Sequence, residues 1–430
     1  MNLIPSIELQ PKEKIKAFQE EALRQLLPYL AQRSPYYKKF FALHGVRVEA
    51  IRHLEDLVKI PTTTKDDLQR HNWEFLCVPP SDIVEFTSTS GTLGKPVTVG
   101  LTEKDLQRLA YNESISFACA DGSPSDLYQL MLTLDRQFMA GIAYYEGIRN
   151  MGAGLIRVGP GLPSMQWETI RRLNPTALVA VPSFMIKLIE FAQQHGIDLR
   201  QLPVRKAVCI GESLRTADMQ PNTLARMINE QWDIRLYGTY ASTEMQTAFT
   251  ECSAGMGGHH HPELIIVEIL DDQNNLLPAG VAGEVTITSL GVEGMPLLRY
   301  KTGDVAAYYD EPCTCGRHTL RLGPVIGRRQ QMIKLKGTTL YPPGVFDILN
   351  QVGSIQDYVV EVYSNDLGTD ELRLHLLTNE TASLVEASVK TYFQSRLRVV
   401  PELCFLSAAD MDKLLHGTGA RKVSRFIDNR

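Results

Sequence analysis

Between Thr176 and Gly238 short apolar strands alternate with helices, an order that few architectures accommodate. "TALVAV" (176–181) reads as a strand, and "SFMIKLIEFAQQHG" as a helix closed by Gly196. "KAVCIG" reads as a second strand, "RTADMQPNTLARMINEQ" as a helix despite Pro221, and "DIRLYG" as a third strand. Short apolar strands separated by helices imply parallel pairing in a sheet covered on both faces. Ligands of such sheets collect at the carboxyl ends of the strands. Here the second strand ends in Gly211-Glu212-Ser213 and the third runs into "GTYASTE", so these two ends are where a ligand is expected.

The flanking segments extend an α/β reading. Ile15, Phe18, Ala22, Leu26, Leu27 and Leu30 recur at helical spacing, predicting an amphipathic helix from about Lys12 to Gln32. In "IPTTTKDDLQRHNW", Pro61 and the threonines end one element and Thr64 is placed to cap the next. A helix is expected around Leu106 to Phe117. Residues 264–310 change character: "LIIVEIL", "GEVTITSL" and "VAAYYD" alternate like strands of a small antiparallel subdomain. A strand pair, a helix and a basic tail follow "GRRQQMIKLKG", which reads as a separate α+β domain. The expected division is a large domain over 1–327, with its β subdomain at about 250–327, and a small mobile domain over 328–430.

One loop adds chemistry to this frame. "EFTSTSGTLGKPVTVGLT" packs hydroxyls, two glycines and Lys95 between β-type stretches. Glycines let the backbone approach an anion, hydroxyls and freed N–H groups donate to its oxygens, and lysine adds charge, so a phosphate-wrapping loop is expected. Only Thr92 and Leu93 separate Gly91 from Gly94, which excludes the Walker A spacing. A net charge of −5 over 430 residues gives no basic surface for nucleic acid. No apolar run reaches bilayer length and the amino terminus lacks the order of a signal peptide, so no membrane partner and a cytoplasmic location are expected. Seven cysteines, odd and sparse, fit a reducing compartment.

Five segments in order carry a resemblance to the adenylate-forming superfamily, and specifically to its phenylacetate-CoA ligase family: "TSGTLGKP", "GES", "YASTE", "MPLLRYKTGD" and "GRRQQMIKLKG". "IPTTTKDDLQ" and the terminal "RKVSRFIDNR" extend the likeness over nearly the whole chain. The resemblance implies that Thr87, Ser88, Thr89, Ser90, Gly91, Thr92 and Lys95 hold the phosphates of ATP. Gly211, Glu212 and Ser213, with Thr239, Tyr240, Ala241, Ser242 and Thr243, would line the nucleotide. Glu244 would help hold Mg²⁺, a hard cation that takes oxygen ligands. Asp304 and Arg328 would reach the ribose, Gly337 would let CoA's pantetheine pass the backbone, and Lys422 would be the adenylation lysine. Two residues depart from the family pattern: Ala241 stands where glycine is usual, and Gln330-Gln331 replace an acidic pair at the hinge.

Cys313-Thr314-Cys315-Gly316 is a tight turn offering two thiolates, with Cys252 and His259-His260-His261 upstream. Cys₃His is a structural zinc set. The resemblance selects His259 as the fourth ligand, with Cys252, Cys313 and Cys315. Phe138, Tyr144, Tyr145 and Phe184 fall where the family builds its acyl pocket, and aromatic walls suit an aryl acid. The implied reading is an ATP-dependent acid–CoA ligase acting on a small carboxylic acid, ATP and CoA, with homodimerisation left open. Its rivals are an enzyme that adenylates without passing the acyl group to CoA, and a zinc-stabilised nucleotide-binding protein without turnover.

Overall fold

The computed structural model describes residues 3–89, 96–335, 338–365, 370–397, 399–416 and 424–430. The chain forms two compact units, Met1–Pro221 with Ala225–Val325, and Asn222–Leu224 with Ile326–Arg430.

The first unit begins with helices α1 (Lys12–Arg33), α2 (Pro35–His44) and α3 (Lys65–His71). Thr64 caps α3 in a reciprocal capping box with Asp67, as its position predicted. Strands β1 (Glu85–Ser88) and β2 (Thr98–Leu101) form a separate antiparallel pair. Then α4 (Glu103–Cys119), β3 (Leu127–Leu130), α5 (Met139–Met151), β4 (Gly154–Arg157), α6 (Pro163–Leu173), β5 (Ala177–Ala180), α7 (Pro182–Gln194), β6 (Lys206–Cys209), α8 (Thr223–Gln231) and β7 (Arg235–Ser242) follow. The strands β4-β3-β5-β6-β7 are all parallel, in that order.

Alternation along the parallel strands divides the core between the two faces. Leu178, Ala180, Ala207 and Cys209 face Trp167, Ile170, Met185 and Ile228, whereas Ala177, Val179 and Val208 face Phe117, Tyr144 and Ile148. Two expectations are corrected. The helix read from Arg215 starts only at Thr223, because Arg215 and Pro221 pair as an antiparallel bridge and proline cannot donate within a helix. The parallel sheet also contains β3 and β4, too short to show periodicity in the sequence.

Beyond β7 the sheet turns antiparallel through β8 (Thr247–Glu251) and β9 (Gly258–His259). A second antiparallel layer contains β10 (Ile265–Leu270), β11 (Gly283–Ser289) and β12 (Tyr300–Ala306), antiparallel as expected of this stretch. The N-terminal helices cover it, with Leu23, Leu27, Leu30 and Tyr37 sharing a core with Ile265, Ile269, Val285 and Ile287. Strands β13 (Tyr308–Tyr309) and β14 (Arg321–Leu322) return to β9.

The second unit contains β15 (Gly327–Arg328), the pair β16 (Ile333–Leu335) and β17 (Thr338–Leu340), and α9 (Pro342–Leu349). Strands β18 (Ile355–Ser364) and β19 (Asp370–Thr378) pair antiparallel; α10 (Ala382–Leu397), β20 (Glu402–Phe405), α11 (Ala408–His416) and β21 (Phe426–Asn429) complete it. Its sheet order is β20-β19-β18-β21, and Val360, Leu372, Leu374 and Leu376 pack with Val385, Val389 and Phe393. Among the described residues no helix is long and apolar enough to cross a membrane.

Candidate active site

Strand β7 outruns the parallel sheet. Its first half pairs with β6 and its second, Thr239–Ser242, with β8, so the "TYAS" residues stand past the carboxyl edge where ligands of such sheets collect. Tyr240 lies there, its hydroxyl donating to Asp304 Oδ2 at 2.7 Å. Burial first, then the Asp304 charge and hydrogen bond, hold the phenol far above its ordinary range, so it remains a donor. Asp304 is presented by a bulge inside β12. The register on β11 advances two residues (Glu284 to Thr286) while β12 passes from Val305 to Lys301, and Gly303 takes φ +80°. That left-handed conformation is why glycine stands there.

Thr239 shares a hydroxyl–hydroxyl hydrogen bond with Thr250, 2.7 Å. Ala241 lies in regular strand and is absent from the residues with positive φ, so its departure from glycine carries no backbone strain. Glu244, just beyond β7, faces Lys65, with Nζ 3.7 Å from Oε1. Gly211 follows β6 with φ +76°. Both oxygens of Glu212 are used by Ser183, accepting from its backbone N–H and hydroxyl at 2.8 Å each. That carboxylate thus holds the first turn of α7. Ser213 donates to the Arg215 carbonyl, 2.9 Å.

The base of the glycine-rich loop is firmly anchored. Thr87 is buried on β1, the N–H of Ser88 donates to the Gln137 carbonyl (2.9 Å), and Thr89 exchanges two hydrogen bonds with Val97. Ser90, Gly91, Thr92 and Lys95 lie outside the described residues, as do Gly337 and Lys422. The Gln137 link joins the loop base to the residue before Phe138, the half-buried N-cap of α5. Of the other aromatic residues expected at an acyl pocket, Phe184 is half-buried in the first turn of α7. Tyr145 packs beneath the guanidiniums of Arg149 and Arg157, and Tyr144 is a core residue against Phe117. Arg328 is exposed on β15 of the second unit, where Arg430 donates to the carbonyls of Gln330 (3.2 Å) and Met332 (2.7 Å).

The cysteine cluster is assembled by the antiparallel extension. Cys252 follows β8, His259 lies in β9 between β8 and β14, and Cys313 and Cys315 occupy the loop from β13 to β14. The ligand atoms of these four residues all lie within 4.8 Å of one another. Cys252 Sγ is 3.6 Å from Cys313 Sγ, and Cys315 Sγ is 3.4 Å from His259 Nε2. Tetrahedral zinc with S and N ligands would require edges of about 3.5–3.8 Å, close to these two separations. Thr319 Oγ1 meets His259 Nδ1 at 2.9 Å, leaving Nε2 directed at the cluster. The neighbouring histidines are used elsewhere, His260 beside Gln19 and His261 on Glu8.

Two groups were not legible beforehand. Lys65 carried a signal, its place in "TTTKDD", but nothing in the sequence linked it to Glu244. Glu8, fully buried between His261 Nδ1 (2.5 Å) and Arg317 Nε (2.7 Å), carried none.

A family model described as "AMP-binding enzyme" matches residues 41–294. The phenylacetate-coenzyme A ligase of Thermus thermophilus is 30% identical over 381 residues, 87% of this chain and 84% of that one. The phenylacetate-coenzyme A ligase of Pseudomonas putida is 27% identical over 385 residues, with coverage of 87% and 84%. Among solved structures, 2-hydroxyisobutyryl-CoA ligase in the postadenylation state with R3-HIB-AMP superposes with a TM-score of 0.85 at 23% identity. That superposition covers 99% of this chain and 92% of the other, a likeness of fold. Matched by the family model over more than half of its residues, and by phenylacetate-CoA ligases over most of its length, the chain belongs to the AMP-binding, adenylate-forming enzymes.

Proposed function

We propose that the chain is an ATP- and Mg²⁺-dependent acid–CoA ligase that activates an aromatic, phenylacetate-like carboxylate. The observation that carries this reading is the Tyr240–Asp304 hydrogen bond, which joins two remote motifs beside the carboxyl edge of the parallel sheet. The similarity to phenylacetate-CoA ligases supports the substrate class.

A carboxylate oxygen of the acid attacks the α-phosphorus of ATP, the bond to the β-phosphate oxygen breaks, and pyrophosphate leaves. The thiolate of CoA then attacks the acyl carbon and AMP departs with the mixed-anhydride oxygen. Asp304 accepts from the ribose hydroxyls, with Tyr240 fixing its carboxylate, and Arg328 reaches the same ribose. Thr87 to Lys95 wrap the β- and γ-phosphates. The residues of 211–213 and 239–243 line the base, and Gly337 passes pantetheine. Phe138, Tyr145 and Phe184 border the acid, with Tyr144 backing them from the core. Glu244 would hold Mg²⁺, whose charge offsets that building on the phosphates. Cys252, His259, Cys313 and Cys315 would hold one structural Zn²⁺, with no open position for catalysis. The small domain expected over 328–430 is read as the lid that closes differently for each half-reaction.

The test is ATP–pyrophosphate exchange over a panel of aromatic and aliphatic acids, followed by CoA. Exchange driven by aryl acids, then formation of AMP and thioester, is expected. Exchange without thioester would identify another acyl acceptor, and no exchange with any acid would remove the enzymatic reading. Within that assay Asp304→Ala is expected to lose on the order of 1.5–3 kcal/mol of nucleotide binding, a charge-assisted hydrogen bond, measured by calorimetry with ATP. Lys422→Ala is expected to lower exchange by about 10²–10³-fold, the scale of one electrostatic donor at a developing charge. Thioester formation from pre-made acyl-AMP should change far less, because no charge then builds on the α-phosphate. Near-normal exchange by Lys422→Ala would unseat that lysine.

A further inference from the structure

One buried carboxylate fastens both of the segments expected to line the base. Glu251 ends β8, its side chain 7% exposed, where β7 leaves β6 for β8. Its Oε2 accepts from the N–H of Gly238 at 3.0 Å, and Gly238 is the last β7 residue paired with β6. The same carboxylate holds Arg215, which follows Gly211-Glu212-Ser213, in a forked ion pair. Nε donates to Oε1 and Nη2 to Oε2, the latter at 3.3 Å. Arg215 in turn fixes the loop before it. Its N–H donates to Ser213 Oγ (3.2 Å), and that hydroxyl donates to the Arg215 carbonyl (2.9 Å). Nη1 donates to the Met219 carbonyl (3.3 Å), and the Arg215 backbone bridges to Pro221. A Cβ on Gly255 would stand 2.3 Å from Nη2, so the guanidinium fills space that a side chain at 255 would need.

Adenine and guanine share a ring system and differ in their exocyclic groups. A site tells them apart only through hydrogen-bonding groups held to within about half an ångström. Two segments from different strands keep a common geometry only if something ties them together. The Glu251 carboxylate does so, and the planar fork of Arg215 fixes both distance and angle. Both residues lie outside the motifs read as lining the nucleotide.

We propose that Arg215 and Glu251 are positioning residues that set the preference for adenine by holding the backbone of 211–213 and of 238–239 in one register. The proposal rests on the nucleotide-site reading given above and adds to it what selects the base. Neither side chain has to touch the nucleotide.

The test is calorimetric titration of wild type, Arg215→Met, Arg215→Lys and the double variant Arg215→Met/Glu251→Gln with Mg²⁺-ATP and Mg²⁺-GTP, beside thermal melts. Arg215→Met is expected to weaken ATP tenfold or more while GTP changes less than twofold. Arg215→Lys, which keeps the charge and loses the fork, should fall between wild type and Arg215→Met. Arg215→Met leaves a buried carboxylate unpaired, which by itself destabilises the fold. The double variant removes both charges and keeps an acceptor for Gly238, so it should melt close to wild type and still lose the preference for ATP. Unchanged ATP affinity in Arg215→Met, a wild-type preference in the double variant, or equal loss of ATP and GTP would reduce the pair to a stabilising contact and overturn the proposal. Wild type that binds ATP and GTP alike overturns it while leaving the nucleotide reading in place. Wild type that binds neither removes that reading and this proposal with it.

Discussion

The wild-type chain is expected to carry one zinc ion per polypeptide, and Cys315→Ser to lose that ion and melt on the order of 10 °C lower. The loop from β13 to β14 turns around the two cysteines: Gly316 takes φ +90° and donates to the Cys313 carbonyl, and Cys313 N–H donates to the Arg317 carbonyl. Structural zinc contributes as folding free energy, roughly 10–16 kcal/mol in isolated fingers. Only part of that is lost here, because β8, β9 and β14 pair without it. A residual cost of about 3–5 kcal/mol, at roughly 2–4 °C per kcal/mol for a domain of this size, gives the stated shift. The damage should spread to the amino terminus. Arg317 Nη1 lies 3.6 Å from Cys315 Sγ while its Nε donates to buried Glu8, so loosening the cysteine loop unpairs a carboxylate with no access to water. Elemental analysis and thermal melts check this. Protein expressed with ample zinc that contains none, and a Cys315→Ser variant that melts like wild type, would together sink the metal site.

Glu113→Gln is expected to stabilise the protein at pH 8 and to leave it nearly unchanged at pH 5. Glu113 lies on α4 where α5 comes so close that a Cβ on Gly147 would stand 2.2 Å from its own Cβ. Burial pushes its carboxyl up to about 8, opposed only by a hydrogen bond from Asn112 Nδ2 at 3.0 Å. In the unfolded chain the group titrates near 4.5. Between these values the folded state binds the proton and the unfolded state does not, so stability falls as pH rises. The contribution is fully present below about pH 4.5 and lost as pH passes through about 8. At about 1.4 kcal/mol per pH unit the change amounts to several kcal/mol. Glutamine keeps the oxygen that accepts from Asn112 and has no proton to lose, so its stability should be flat over that range. Denaturant unfolding at several pH values decides the matter. Parallel curves for wild type and variant would mean that Glu113 does not hold its proton in the fold.

How far the sequence reaches is clearest at particular residues. Strands β5 and β6 were legible because both faces of each are buried, which leaves the runs "ALVA" and "KAVC" with almost no polar residue. The cap at Thr64 was legible because one side chain three residues from Asp67 decides it. Strands β3 and β4 were not: four residues each, they owe their assignment to neighbours brought from elsewhere in the chain. The start of α8 was misread because pattern favoured a helix while the Arg215–Pro221 bridge depends on chain reversal.

At the site the same division holds. The residue types that chemistry requires, among them Tyr240, Glu244, Asp304 and the Cys₃His set, were present in the sequence because each belongs to a local motif. Which histidine turns its Nε2 to the thiols, which carboxylate caps α7 and which lysine stands against Glu244 were decided only in three dimensions. Those outcomes depend on strand register and on hydrogen bonds spanning up to hundreds of positions, such as Arg317 to Glu8, and no local pattern encodes the partner of a side chain across such a separation. The sequence by itself therefore determined the alternating α/β frame and the inventory of reactive groups. The tertiary structure decided their pairing, because burial and charge act between groups that meet only after the sheets have closed.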